Sequence, residues 1–167
     1  MSQLTKDDGS MTMALCEKRE YLWSKLLPSK ASTTGQPPVV DDDRRWPKLT
    51  ENEIAYAIAD LPNRKAPGPD CVTGNILKMA WKNNAFRKQF TIILAACIEL
   101  GYHPMAWRTG TVIVLRKPGK KDYSDPKAYR PITLLKIPGK VLEKIVQRRL
   151  AFLSQEILPK EQFGARQ

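Results

Sequence analysis

The 167-residue chain has a single histidine, His103, and three cysteines, Cys16, Cys71 and Cys97. One histidine leaves little for a histidine-based general base or metal cluster. The cysteines are unevenly spaced and no C-x-x-C occurs, which argues against a cysteine zinc site and a disulfide framework and favours a reducing compartment. Hydrolases built on Ser/His/Asp or Cys/His are poor fits. No apolar run reaches the roughly 18 residues that span a bilayer, so no membrane partner is expected. The opening MSQLTKDDGS has two acids and no apolar stretch, unlike a secretory signal. An intracellular location, cytoplasmic or nuclear and not secreted, is the expectation. No internal repeat is visible.

What the chain has is positive charge. Lys and Arg total 28 against 17 Asp and Glu, a net charge of +11. Residues 1–60 carry 8 basic and 10 acidic side chains, whereas residues 61–167 carry 20 and 7. Within 108–149 the count is 12 against 3. A field of that sign attracts phosphate, so on charge alone a nucleic acid, a nucleotide or an anionic membrane is the expected partner. A solubilising surface without a ligand is the alternative use of such charge. At 42% hydrophobic and 27% charged, the composition suits one core and one domain, with a loose N-terminal arm.

Along the chain, residues 10–27 read as a helix capped by Ser10, with Met11, Leu15, Leu22 and Leu26 near one face, and Pro28 ending it. Residues 28–48 are proline-rich, aperiodic and linker-like. Thr50 and Glu53 form a capping box before a short helix that buries Ile54, Ala57, Ile58 and Leu61. The segment NRKAPGPD, residues 63–70, has two prolines and a glycine in eight residues and reads as a rigid exposed turn. A helical stretch with Ile76, Leu77, Met79 and Ala80 follows. Residues 86–100 form a long helix bearing Phe90, Ile93, Leu94, Cys97 and Ile98 for burial, closed by Gly101.

The run TVIVL, residues 111–115, reads as a buried strand and KPGKK, residues 117–121, as a turn. YRPITLL, residues 129–135, is the return strand, with Pro131 at an edge or bulge. Asp122, Asp125 and Lys127 lie in the charged loop between. The last helix spans about 139–153, with Val141, Leu142, Ile145, Val146 and Leu150 as its apolar stripe and Lys140, Lys144, Arg148 and Arg149 over much of the rest. The predicted fold class is α+β, mostly helical with one antiparallel β-hairpin.

The hairpin concentrates the chemistry. Arg116, Lys117, Lys120 and Lys121 cluster in and beside the turn, and Arg130 opens the return strand. A hairpin joins its strand ends, so Lys117 and Arg130 can converge on one polyanion, a point charge beside a planar fork. A lysine-rich loop kept soluble is the other reading. KAPGPD presents Arg64 and Lys65 or merely connects two helices. Asp41–Asp43 read as a solvated charge run and His103 as a loop residue. Trp81 and Trp107 read as core or lid aromatics.

Four segments taken in order carry a resemblance: LTENEIAYAIADLPNRKAPGPD, WRTGTVIVLRKPGKKDYSDPKAYRPITLL, KVLEKIVQRRL and QFGAR. Together they resemble the reverse transcriptase of non-LTR, LINE-like retrotransposons over residues 46–167. The resemblance implies a division into an N-terminal helix and Pro-rich linker, 1–45, and a partial reverse transcriptase domain, 46–167. It implies the fingers side of a right-hand polymerase. Lys117 and Arg130 match the residues that hold the incoming deoxynucleoside triphosphate. Lys65, Arg116, Lys120, Lys121, Lys140 and Arg148 are the implied contacts to RNA template and DNA primer.

The match departs from the family at two places: Cys71 stands where the family has Gly after KAPGPD, and Ala165 replaces the aromatic of QFGF. Two-metal polymerisation needs facing carboxylates, which the family supplies from an acidic strand and a later Y-x-D-D hairpin. Neither motif occurs in these 167 residues. The expectation is no catalytic or metal-binding residue in this chain, no DNA synthesis by it alone, Mg2+ only in the complete enzyme, and palm and thumb regions as further partners. A non-enzymatic nucleic-acid-binding module and a decayed remnant are the alternatives.

Overall fold

A computed structural model describes residues 3–27 and 46–157, with side chains through residue 154. The expected stop at Pro28, most of the proline-rich linker, Asp41–Asp43 and QFGAR lie outside the described residues. The order is α1 (Leu15–Leu26), α2 (Glu51–Ala59), α3 (Gly74–Trp81), α4 (Asn84–Glu99), α5 (Met105–Arg108), β1 (Gly110–Arg116), a 3-10 turn (Pro126–Ala128), β2 (Tyr129–Leu135) and α6 (Ile137–Ile157). β1 and β2 form a two-stranded antiparallel sheet, giving the expected α+β class. No helix among the described residues is long and apolar enough to cross a membrane. The chain divides into two compact units, Met1–Arg44 with Val112–Thr133, and Arg45–Thr111 with Leu134–Gln167.

In the first unit the chain begins as a narrow loop and not as a helix. Leu4 N–H donates to Thr12 Oγ1 at 2.9 Å and Thr12 N–H returns to the Leu4 carbonyl at 2.9 Å. Both residues are buried. Ser10 does not cap a helix. Its N–H and hydroxyl both donate to Asp8, at 2.9 and 2.6 Å, closing a turn in which Gly9 takes φ +81°. That turn keeps the following residues extended. α1 starts five residues later than Ser10, where the Glu17 carboxylate accepts from Met13 N–H at 2.7 Å. Met11 and Leu15 are exposed, whereas Leu22 and Leu26 pack with Tyr21 onto Leu4, Ala128 and Tyr129.

Val114 and Tyr123 join that cluster, which covers one face of the hairpin. The other face is open: Ile113, Leu115 and Ile132 are 41%, 47% and 41% exposed. β1 is therefore not the buried strand its composition predicts. Side chains alternate across a strand, so a two-stranded sheet covered on one side shelters only every second residue.

The second unit carries the larger core. Ile54, Ala57, Ile58 and Leu61 from α2 and its end meet Leu77, then Phe90, Leu94 and Cys97 of α4, then Ile137, Val141, Leu142 and Ile145. The Thr50–Glu53 capping box is formed, with Thr50 Oγ1 accepting from Glu53 N–H at 3.3 Å and Glu53 accepting from Thr50 N–H at 3.0 Å. α3 and α4 have simple N-caps, Thr73 Oγ1 accepting from Ile76 N–H at 3.3 Å and Asn83 Oδ1 from Phe86 N–H at 3.0 Å. Gly101 adopts φ +58°, and Tyr102 N–H donates to the Cys97 carbonyl at 2.9 Å, so α4 ends in a Schellman motif. Trp81 and Trp107 pack against this core. Ile76, Met79, Ile93 and Leu150 are exposed, unlike their helical neighbours.

Candidate functional site

The hairpin loop is organised by tyrosines. Lys117 N–H donates to the Ala128 carbonyl at 2.8 Å, the backbone bond that closes the ladder at its loop end. Tyr123 OH donates to the Lys117 carbonyl at 2.9 Å and Tyr129 OH to the Tyr123 carbonyl at 3.0 Å. The two rings meet edge to face at 6.2 Å, and the Arg116 guanidinium lies 4.9 Å from the Tyr123 ring centre. Buried tyrosines need a partner for the hydroxyl, and here the partners are the loop's own carbonyls.

Lys117 is half-buried and its ammonium donates to the Lys127 carbonyl at 2.7 Å. A neutral acceptor leaves the charge uncompensated and two N–H groups available for an anion. Arg130, two residues after Ala128, is exposed, as are Lys120 and Lys121. Gly119, at φ +75°, turns the chain between Lys117 and Lys120. The loop acids are engaged locally. Asp122 accepts from the Ser124 N–H at 2.8 Å and its hydroxyl at 2.7 Å, the backbone bond being the chief cause of a carboxyl pKa below the ordinary range. Asp125 accepts from Lys127 N–H at 2.8 Å.

Lys65, Lys140 and Arg148 belong to the second unit. The NRKAPGPD turn is neither helix nor strand, and it is fastened at several points. The Lys78 ammonium donates to the Leu61 carbonyl and to Asn63 Oδ1, both at 2.7 Å. A Cβ on Gly74 would lie 2.7 Å from the Pro62 oxygen, and one on Gly68 would lie 2.8 Å from the Leu135 carbonyl carbon. Glycine is required where backbones approach this closely. Cys71 takes φ +58°, the one non-glycine residue with positive φ among those described. The position where the resemblance expects glycine is thus left-handed, and a side chain occupies it.

Arg148 donates to Asp60 Oδ2 at 2.6 Å, and Lys144 reaches the same oxygen at 3.0 Å. Lys144 first, with Arg148, holds the Asp60 carboxyl below its usual pKa. Arg149 has the opposite role to a surface cation. Its side chain is 9% exposed. It forks onto both oxygens of Glu53 at 2.7 and 3.0 Å, donates to the Pro47 carbonyl at 2.8 Å, and stacks 5.6 Å from the Trp46 ring centre. That contact pushes Glu53 down to about 2. Neither Asp60 nor Arg149 stands out in the sequence, because each partner lies more than eighty residues away.

Among the described residues no group of three His, Cys, Asp or Glu side chains could hold a metal ion.

No family model matches the chain. It is 38% identical over 72% of its length to a 115 kDa protein of type-1 retrotransposable element R1DM of Drosophila melanogaster, covering 12% of that protein. It is 32% identical over 71% of its length to the RNA-directed DNA polymerase from mobile element jockey of the same species, covering 13% of it. Against the Pol polyprotein of type-1 retrotransposable element R1 of Bradysia coprophila it is 34% identical over 62% of its length, covering 10%. The chain spans about an eighth of the length of the first two of these curated relatives. On this similarity, the chain belongs to the family of non-LTR retrotransposon reverse transcriptases and corresponds to a short part of one.

Proposed function

We propose that this segment is the fingers side of a right-hand polymerase, with residues 46–167 as a partial reverse transcriptase domain and residues 1–45 as a preceding arm. In this reading the hairpin receives the triphosphate of an incoming deoxynucleotide. Lys117 offers a compact charge and Arg130 a planar fork for two phosphate oxygens. The observation that carries the reading is the bond from Lys117 N–H to the Ala128 carbonyl. It places Lys117 and the start of the Arg130 strand at one end of one ladder. Arg116, Lys120 and Lys121 add positive potential around that end, while Lys65, Lys140 and Arg148 supply contacts to the backbones of RNA template and DNA primer.

Phosphoryl transfer depends on positioning and on charge set against developing negative charge. Lys117 and Arg130 supply both for the leaving pyrophosphate. Mg2+, the acidic residues that hold it, and the palm and thumb belong to the complete enzyme. The test uses the purified chain with primer–template and with a fluorescent deoxynucleoside triphosphate. The expected result is triphosphate binding that Lys117→Ala/Arg130→Ala weakens, with no primer extension. Extension of the primer by the chain alone, or triphosphate binding indifferent to both substitutions, overturns the proposal.

A further inference from the structure

The connection between α2 and α3 is fixed to α6 at one end and to the residues just before α6 at the other. At one end Asp60 meets Lys144 and Arg148. At the other, Gly68 lies against the backbone of Leu135 and Lys136, close enough that a Cβ would stand 2.9 Å from Lys136 N. Arg64 and Lys65, both exposed, lie on the chain between these points.

Lys136, immediately before α6, and Lys140, Lys144 and Arg148 within it recur at a spacing of four, which brings them towards one side of the helix. From Lys136 to Arg148 the helix rises about 18 Å. The connection and the helix therefore carry six cations on neighbouring stretches of chain, with Asp60 at the α2 end and Asp70, which accepts from Val72 N–H at 3.2 Å, just beyond Gly68. No carboxylate of the described residues pairs with Arg64, Lys65, Lys136 or Lys140. Asp60 takes the two cations at one end.

We infer that these cations form a track for the phosphates of one nucleic-acid strand, and that Asp60 occupies its last phosphate position as an internal competitor. A strand that reaches Lys144 and Arg148 must displace the Asp60 carboxylate or share them with it. The track is thereby weakened at the α2 end and strongest at the Lys136 end. The inference rests on the nucleic-acid reading of Lys65, Lys140 and Arg148 above, and adds Lys136, Lys144, Arg64 and the opposing role of Asp60. The Asp60 pair is half-exposed, so its worth to folding is small. α2 and α6 are held together independently by the Arg149–Glu53 fork and the shared core.

The experiment measures binding of the full chain to a labelled 20-nucleotide RNA, and to the same sequence paired with DNA, over a salt titration. Asp60→Asn is compared with Glu99→Gln, an exposed carboxylate at the end of α4 whose loss changes the net charge equally. Asp60→Asn is expected to bind about fivefold tighter at 0.1 M salt for each cation released, with a salt slope steeper by about 0.7–1.4. Glu99→Gln is expected to stay near the parent. Equal gains from the two variants overturn the role of Asp60.

A second comparison does not depend on Asp60→Asn folding. Lys144→Gln/Arg148→Gln leaves Asp60 facing the strand uncompensated, and is expected to lose more affinity than Lys82→Gln/Lys88→Gln. Equal losses count against the track. If the parent chain binds neither probe and shows no salt slope, the nucleic-acid reading itself falls. If Lys65→Gln/Lys140→Gln weakens binding while Asp60→Asn matches Glu99→Gln, that reading stands and only the competitor role fails.

Discussion

Arg149 forks onto Glu53 across 96 residues of sequence, with Nε to Oε1 at 2.7 Å and a second nitrogen to Oε2 at 3.0 Å. The same carboxylate closes the capping box at the start of α2. One group thus joins the first helix of the larger unit to its last. Removing Arg149 leaves Glu53 partly buried without its cation. Arg149→Ala is expected to cost on the order of 2 kcal/mol at pH 7, below the range for fully buried pairs because Glu53 keeps some solvent. Urea denaturation measures it.

The pH dependence of that contact has a definite sign. Glu53 is depressed from 4.5 to about 2 in the folded chain, with the Arg149 hydrogen bonds as the largest cause. A carboxylate lowered by folding contributes its stability above the unfolded pKa and loses it as the pH falls through the folded one. The gap between the parent chain and Arg149→Ala is therefore full above pH 5 and narrows from about 4.5 towards 2. A gap of constant size over that range speaks against the pairing.

Cys71 holds a left-handed backbone that costs a side-chain-bearing residue about 1–2 kcal/mol. Glycine relieves this but loses more freedom on folding. Cys71→Gly is expected to stabilise the chain by about 0.5–1 kcal/mol net. Cys71→Ala keeps the Cβ and is expected to stay within about 0.5 kcal/mol of the parent. Thermal melts of the three chains decide it.

Gly68 is the complementary case. Its missing Cβ admits the Leu135 and Lys136 backbone, which cannot swing aside as a side chain could. Gly68→Ala is expected to destabilise by about 1–3 kcal/mol, the usual range for overpacking. A neutral melt places the α2–α3 connection elsewhere.

Much of this was legible because the signals were local. Thr50 and Glu53 stand three apart, and α2 begins where they say. Gly101 with Pro104 marks the end of α4. The two strands follow from β-branched runs flanking KPGKK. The misreadings came where a local pattern had a competing partner or lacked a tertiary one. Ser10 is a good N-cap by composition, but Asp8 takes both its donors. TVIVL is apolar throughout, yet its sheet has two strands and one covered face.

The candidate site divides similarly. The cations of the hairpin were identifiable from their clustering, and Lys117 and Arg130 from the resemblance. What Lys117 bonds to was not: its carbonyl serves Tyr123 and its ammonium meets Lys127. Arg148 and Arg149 look equivalent in sequence. Only the fold gives one a half-exposed partner in Asp60 and the other a nearly enclosed fork on Glu53.

The most direct measurement is steady-state kinetics of a complete polymerase carrying this segment, with and without Lys117→Ala/Arg130→Ala. The account predicts a KM for deoxynucleoside triphosphate raised on the order of tenfold or more, as for the loss of charge-assisted phosphate contacts of about 1.4 kcal/mol or above, with template–primer affinity unchanged. An unchanged KM with collapsed template–primer affinity contradicts it.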